Sequence, residues 1–202
     1  MTVGSPAREF IRFEPAALPV CSARGGVRTR PSAPFQRADT FARMTKPLAY
    51  IETTVPNFYY DFRPDPEIVA RRGWTRGWWA TAADRYELWT SDVVVDELSA
   101  GTSQFVPPRL ELLRPIPVLS VTPAVTVCAQ TYIRHKLMPS NPGTDAFHLA
   151  LASHSNCDFI VTWNCKHLAN PNKALHIHKI NQRLGLRTPE IVTPLTLLRR
   201  MP

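Results

Sequence analysis

The order of hydrophobic and polar positions alternates between short apolar runs and longer segments with helical spacing. Five apolar runs predict strands: LAYIET, YELWT, PVLSV, DFIVTW and EIVTP. Strands that are separated by helices favour an α/β fold. We therefore predict a three-layer domain in which a central, mainly parallel sheet is flanked by helices.

Six helices are predicted between these strands, several with a capping side chain or a terminal glycine at the boundary. They are residues 66–83 after Asp65, SDVVVDELSA capped by Ser91, PPRLELLRP, 123 to about 135 after Thr122, 145–155 capped by Thr144, and PNKALHIHKINQRLG closed by Gly185. Because a site in such a fold forms where the carboxyl ends of the strands meet the helix starts, the residues at these junctions are of most interest.

The first 43 residues lack any hydrophobic period, and they contain five prolines and seven arginines against three acidic residues. We expect this leader to be disordered. Two alternatives stay open: a true translation start at Met44, where the ordered pattern begins, or an Arg-rich transit peptide, which the acidic residues disfavour. The folded domain is expected over residues 44–202.

Composition and charge restrict the class of protein only broadly. Hydrophobic residues make up 44% and charged residues 20% of the 202 positions, which is ordinary for a soluble domain. No apolar run approaches the roughly 18 residues of a membrane span, and four cysteines without CxxC spacing are typical of a cytoplasmic protein. The net charge is +8, but residues 1–43 account for half of it, so the mildly basic body permits an RNA partner without requiring one.

Four polar side chains stand where strands end or helices begin. Glu52 ends the first strand, Glu97 lies in the helix after the second, Asp145 starts an apolar helix, and Asn164 ends the strand FIVTWN. Converging carboxylates repel one another, and a hard divalent cation with oxygen ligands relieves the repulsion. Mg²⁺ or Mn²⁺ held in this way can activate water and stabilise phosphate charge during phosphodiester cleavage.

Each of these residues also has a simpler structural interpretation. Asp145 could complement the helix dipole, Glu97 could face solvent while Asp96 takes its place, and Asn164 could cap a turn. Glu52 is harder to explain in this way, because it follows an apolar strand directly. Their joint placement at matching element ends favours a site.

The order of four motifs resembles the PIN-domain family, particularly VapC-like proteins. The motifs are IETT, SDVVVDEL, TDAFHLALAS and CDFIVTWNCKHL, of which the last two are specific, and the resemblance covers about residues 47–196. It implies a metal-dependent ribonuclease with Mg²⁺ or Mn²⁺ as cofactor and RNA as substrate. Such proteins are often the toxin of a toxin–antitoxin pair, so a small antitoxin protein and a second copy of the chain are candidate partners.

The resemblance also implies roles for individual residues. Carried over by position, Glu52, Glu97 and Asp145 are the metal-binding acids. Thr53 and Thr162 are the hydroxyls that orient water or the acids near them.

Two positions depart from the family pattern. The first acid is Glu52 where Asp is usual, and Asn164 completes the predicted catalytic set with an amide where many members have a fourth acid. An amide oxygen can bind a cation but adds no negative charge. A catalytically degenerate PIN-fold module, which binds RNA or a protein without cleaving, is therefore the alternative.

Other notable side chains have mainly structural interpretations. Trp74, Trp78 and Trp79 favour core packing or a partner surface, with stacking on unpaired RNA bases beside neighbouring arginines as the alternative. His148 is expected to be a hydrogen-bonded core histidine. Lys166 and His167 follow Asn164 closely and are either surface residues or phosphate contacts. No familiar zinc spacing joins the candidate ligands Cys165, His167, His176 and His178.

Overall fold

The computed structural model describes residues 46–140 and 143–200, and the predicted leader, residues 1–43, lies outside this part of the chain. The described residues form five strands: β1 (Leu48–Ile51), β2 (Glu87–Ser91), β3 (Val118–Leu119), β4 (Phe159–Val161) and β5 (Glu190–Val192). They also form eight helices: α1 (Thr54–Tyr59), α2 (Pro66–Arg85), α3 (Asp92–Ser99), α4 (Val106–Leu113), α5 (Pro123–Arg134), α6 (Thr144–His154), α7 (Pro171–Leu184) and α8 (Pro194–Arg199).

The strands form one parallel sheet in the order β3-β2-β1-β4-β5, flanked by helices, which confirms the predicted α/β fold and all five predicted strands. β1 lies at the centre, and its residues Ala49, Tyr50 and Ile51 are fully buried. A continuous apolar run is what a parallel strand covered on both faces requires. Fully burying a side chain the size of Ile51 contributes roughly 1.5–3 kcal/mol.

The sheet reverses its strand order between β1 and β4. β1 pairs with β4 through Ile51 and Val161, but the chain leaves β1 towards β2 and leaves β4 towards β5, on opposite sides of the sheet. The loops that leave two such strands diverge, and a crevice opens at their carboxyl ends, where ligands bind in open α/β sheets. Glu52 and Thr162, the residues that directly follow β1 and β4, therefore meet at the mouth of this crevice.

Most of the predicted helix caps are confirmed. Asp65 accepts hydrogen bonds from the backbone of Glu67 and Ile68, Ser91 from Val94, and Thr122 from Val125. Each cap satisfies an amide that the helix start leaves without a partner. Gly185 ends α7 in the left-handed conformation, with φ of +68°.

The predicted cap at Thr144 is wrong. α6 begins at Thr144 itself, and the residue before it is Gly143 with φ of +82°, a conformation that side-chain-bearing residues rarely adopt. The chain turns at the glycine, so Thr144 joins the helix. The short helices α1 and α8 were not predicted, since six residues are too few to show a helical period.

The tryptophans of α2 pack against the protein, as the favoured interpretation predicted. Trp78 is fully buried, and Trp74 stacks on Trp163 with ring centroids 6.1 Å apart. Nearby arginines fasten α2 to the end of α1: Arg72 donates to the carbonyl of Asp61 at 2.8 Å, and Arg76 donates to that of Tyr59 at 3.0 Å. None of the described helices is both long and apolar enough to cross a membrane.

Candidate metal and catalytic site

Glu52 occupies the mouth of the crevice and is almost completely buried, with 4% of its surface exposed. Its Oε2 accepts hydrogen bonds from the backbone N of Thr54 at 2.9 Å, from the Thr54 hydroxyl, and from the Thr162 hydroxyl at 2.8 Å. No hydrogen bond from the described residues reaches Oε1. One oxygen of the carboxylate is therefore fixed by the protein, and the other is left for a ligand.

Glu97 reaches the same site from α3. Its Oε2 accepts a hydrogen bond from the hydroxyl of Thr53, the residue after Glu52, and contacts Nε2 of His148 at 3.1 Å. The neighbouring Asp96 is exposed to solvent. Of the two acids that the sequence offered at this position, the structure brings Glu97 to the carboxylate site.

His148 is a buried histidine, as expected, but it also belongs to the site. Its Nδ1 contacts the Tyr50 hydroxyl at 2.8 Å, and that hydroxyl contacts Oγ of Ser91 at 2.7 Å. This hydrogen-bonded row runs from the start of α3 through the centre of the sheet to Glu97. Sequence reasoning missed the role of His148, although its position three residues after Asp145 places both on one helix face.

Asp145 and Asn164 form a second pair beside these groups. The Asn164 amide nitrogen donates to Oδ1 of Asp145 at 2.7 Å, and its amide oxygen accepts from the backbone N of His167 at 3.1 Å. Both ends of the amide are therefore engaged. Asn164, which the resemblance placed where many family members have a fourth acid, orients Asp145.

Thr54 is a second site residue whose role sequence reasoning missed. Its hydroxyl donates to Glu52 and accepts from the backbone N of Trp163 at 2.7 Å, so it bridges the ends of β1 and β4. Thr162, fully buried, hydrogen bonds to the same Glu52 oxygen and accepts from the backbone N of Asn164 at 2.8 Å. The repeated Thr in IETT was the available signal.

Burial and the local charges shift the pKa values of the acids in different directions. Burial raises the pKa of Glu52 and of Asp145, and the positive charge of His148 offsets part of each rise. Burial would also raise the pKa of Glu97, but the hydrogen bond and charge of His148 and the Thr53 hydroxyl outweigh it, and the pKa falls to about 2.

His148 responds to the same acids. Burial alone would lower the pKa of His148, but the hydrogen bond to Glu97 and the charges of Glu52, Glu97 and Asp145 raise it. When His148 is protonated, it forms an ion pair with Glu97 inside the site, whereas Glu52 and Asp145 have no cation bonded to them among the described side chains. A bound cation would stabilise the ionised forms of both.

Two of the three acids predicted to bind metal, Glu52 and Glu97, belong to one compact group of possible ligand atoms. Among the described residues, one group of three offers ligand atoms within 4.8 Å of one another, and it consists of Glu52, Glu97 and His148. Asp145 lies next to this group, close enough that the charge of Glu97 raises its pKa. Carboxylate oxygens from different elements, each oriented by a neighbouring donor, fit a hard divalent cation such as Mg²⁺ or Mn²⁺.

Comparisons with known proteins add little to this geometry. No family model matches the chain, and no curated protein matches it in sequence. Among solved structures, it is similar to VapBC2 from Rickettsia felis bound to a DNA fragment from their promoter. The identity is 14% and the TM-score 0.47, over 72% of this chain and 98% of that chain. The residues of the site therefore carry the functional conclusion.

Proposed function

We propose that this protein is a metal-dependent endoribonuclease of the PIN-domain type, with Mg²⁺ or Mn²⁺ held by Glu52, Glu97 and Asp145. The observation that carries the proposal is the meeting of Glu52 and Glu97 at the switch point between β1 and β4, each with an oxygen fixed by a threonine hydroxyl. Burying carboxylates together costs stability unless a bound cation or another positive charge compensates them.

Neighbouring side chains hold each of the three acids in place through hydrogen bonds. Thr54 and Thr162 hold Glu52, Thr53 holds Glu97, and Asn164 holds Asp145. When bound, the metal ion supplies an activated water and stabilises the negative charge on the phosphate. The threonines and the amide keep the acids in place before substrate arrives, so little reorganisation is needed during the reaction.

The motifs that resemble VapC-like proteins support a finer proposal: the protein is the toxin of a type II pair and binds a small antitoxin protein. Co-purification with the product of an adjacent small reading frame, and relief of growth arrest by that product, test this directly. Full growth inhibition in the presence of the product would count against it.

The degenerate binding module remains the second candidate, and a specific contact favours it. His148, when protonated, places a positive charge against Glu97, so part of the acidic charge is balanced without a metal ion. Asn164 adds no charge where many members of the family have an acid. A protein with this site could bind RNA or a protein partner and leave it intact.

Cleavage of a labelled pool of single-stranded RNA distinguishes the two candidates. We expect the wild type to cut with Mn²⁺ and to stop in EDTA, and Glu97→Gln to lose cleavage while it still binds RNA. Glu111→Gln is the matched control, because Glu111 is an exposed residue of α4 whose ion pair with Arg114 lies away from the site. RNA binding without cleavage at any Mn²⁺ concentration would leave the binding module as the answer. Equal cleavage by wild type and Glu97→Gln would indicate that the acids are not the catalytic groups.

A further inference from the structure

A groove with a basic lining lies beside the carboxylate site. Its volume is about 500 Å³, and its polar lining includes Lys136, His167 and Lys173. None of these three side chains forms an ion pair with any described residue. We call these three residues and the space between them the basic groove.

The basic groove adjoins the acids directly. The backbone N of His167 donates to Oδ1 of Asn164, whose amide nitrogen holds Asp145. The positive charges of His167 and Lys173 act on Asp145 in the direction that lowers its pKa. An anion in the groove would therefore lie next to the carboxylates and not on a distant face of the protein.

Lys136 adopts a backbone conformation that residues with a side chain disfavour. It follows α5 with φ of +55°, in the left-handed region where glycine is favoured. A residue with a side chain costs roughly 1–2 kcal/mol in this conformation. Glycine would adopt this conformation without strain, so the side chain of Lys136 is present at a cost to the backbone.

Lys173 interacts unfavourably with the dipole of α7. It is the third residue of α7, whose first turn contains no acidic residue. The amino end of a helix carries partial positive charge, so a cation there is disfavoured by roughly 0.3–1 kcal/mol, whereas an anion is favoured. Two lysines in locally unfavourable positions thus converge on one groove, a pattern expected at functional sites.

We infer that the basic groove binds a backbone phosphate of single-stranded RNA, adjacent to the phosphate that is cleaved at the carboxylates. The inference rests on the proposed function and extends it from the chemical step to how the strand is held. Lysine ammonium groups and an imidazole N–H contact phosphate oxygens without reading the base. The groove therefore orients the RNA strand and does not distinguish one base sequence from another.

Binding of a short labelled single-stranded RNA in EDTA, measured by fluorescence anisotropy over a range of salt concentrations, tests the inference. We expect Lys136→Gly and Lys173→Gln each to raise Kd several-fold and to reduce the slope of log K against log salt by about 0.7. Lys136→Gly should melt no lower than the wild type, because glycine suits its backbone. Lys179→Gln is the control, since Lys179 is exposed on α7 and does not line the groove.

The outcomes separate this inference from the proposed function. If both groove variants bind with the affinity and salt slope of Lys179→Gln, or if no form of the protein binds RNA, the inference fails. If both variants weaken binding but the wild type cuts nothing with Mn²⁺, the basic groove stands and the ribonuclease proposal falls. If the wild type cuts RNA and both variants keep its KM, the ribonuclease stands and the groove falls.

Discussion

At the scale of single residues, the negative charge of the site depends on residue 164, because the amide of Asn164 is neutral where a carboxylate would add one negative charge. Its amide donates to one oxygen of Asp145 and accepts from the backbone of His167. A carboxylate at this position could keep the second contact but not the first, because it has no hydrogen to donate.

We expect Asn164→Asp to lower the melting temperature in EDTA, since two carboxylates would face each other where a 2.7 Å hydrogen bond now lies. The rise in melting temperature on adding Mn²⁺ should be larger than in the wild type, because the ion then neutralises one more negative charge. Thermal melts of both proteins with EDTA and with Mn²⁺ measure this. An equal response to Mn²⁺ in both proteins would place the ion away from Asn164.

The pair of Glu97 and His148 gives a pH dependence to the metal-free protein. The pKa of Glu97 falls from its ordinary 4.5 to about 2, so its stabilisation is present above pH 4.5 and is lost as the pH falls through about 2. The pKa of His148 is raised from its ordinary 6.5, so its stabilisation is present below pH 6.5 and is lost as the pH rises through the folded value.

Glu97→Gln should therefore have a lower melting temperature than the wild type in EDTA. The difference between the two melting temperatures should be largest between about pH 4.5 and 6.5. The pKa of His148, followed by NMR titration, should fall in this variant because the negative charge beside it is removed. Glu111→Gln serves again as the control and should give no such window. A gap that is constant from pH 4 to pH 9 would mean that the contact is not an ion pair.

At the scale of elements, the start of α6 matters because it places Asp145 and His148. Gly143 precedes this helix with φ of +82°, and an added Cβ would lie 3.2 Å from the carbonyl oxygen of Ser140. The exposed Gly73 lies within α2, where an added Cβ meets nothing within 4 Å.

Gly143→Ala should destabilise the protein by roughly 1–2 kcal/mol, through backbone strain and crowding. Gly73→Ala should stabilise it by roughly 0.5–1 kcal/mol, because alanine is the better helix former. Urea unfolding of both variants gives the two free energies. Stabilisation by Gly143→Ala would contradict the left-handed turn that sets the start of α6.

The elements could largely be predicted from the sequence because their signals are local. A proline after a capping residue fixes the start of α2 and of α5, and Gly185 fixes the end of α7. The start of α6 could not be predicted, because GTD offers two plausible boundaries and the choice depends on the conformation of Gly143. Likewise β3 shortens to Val118–Leu119, since pairing with β2 and not hydrophobicity sets its length.

At the scale of the whole molecule, the candidate site follows from the strand order. The sequence placed Glu52 and Asn164 at strand ends, but only the adjacency of β1 and β4 brings these ends together. Side-chain contacts over long separations could not be predicted in this way: His148 meets Glu97 across 51 positions, and Trp163 meets Thr54 across 109. Such contacts depend on packing that no local pattern encodes.

A divalent ion among the acids at the carboxyl edge of the sheet is the central claim, and an NMR titration with substoichiometric Mn²⁺ tests it most directly. The ion broadens nearby amide signals, so we expect those of Thr53, Glu97 and Ala146 to disappear first. The signals of Leu48 and Phe159, at the opposite ends of β1 and β4, should persist longer. Early broadening around exposed acids such as Asp65 and Glu67, with Thr53 and Glu97 unaffected, would contradict the claim.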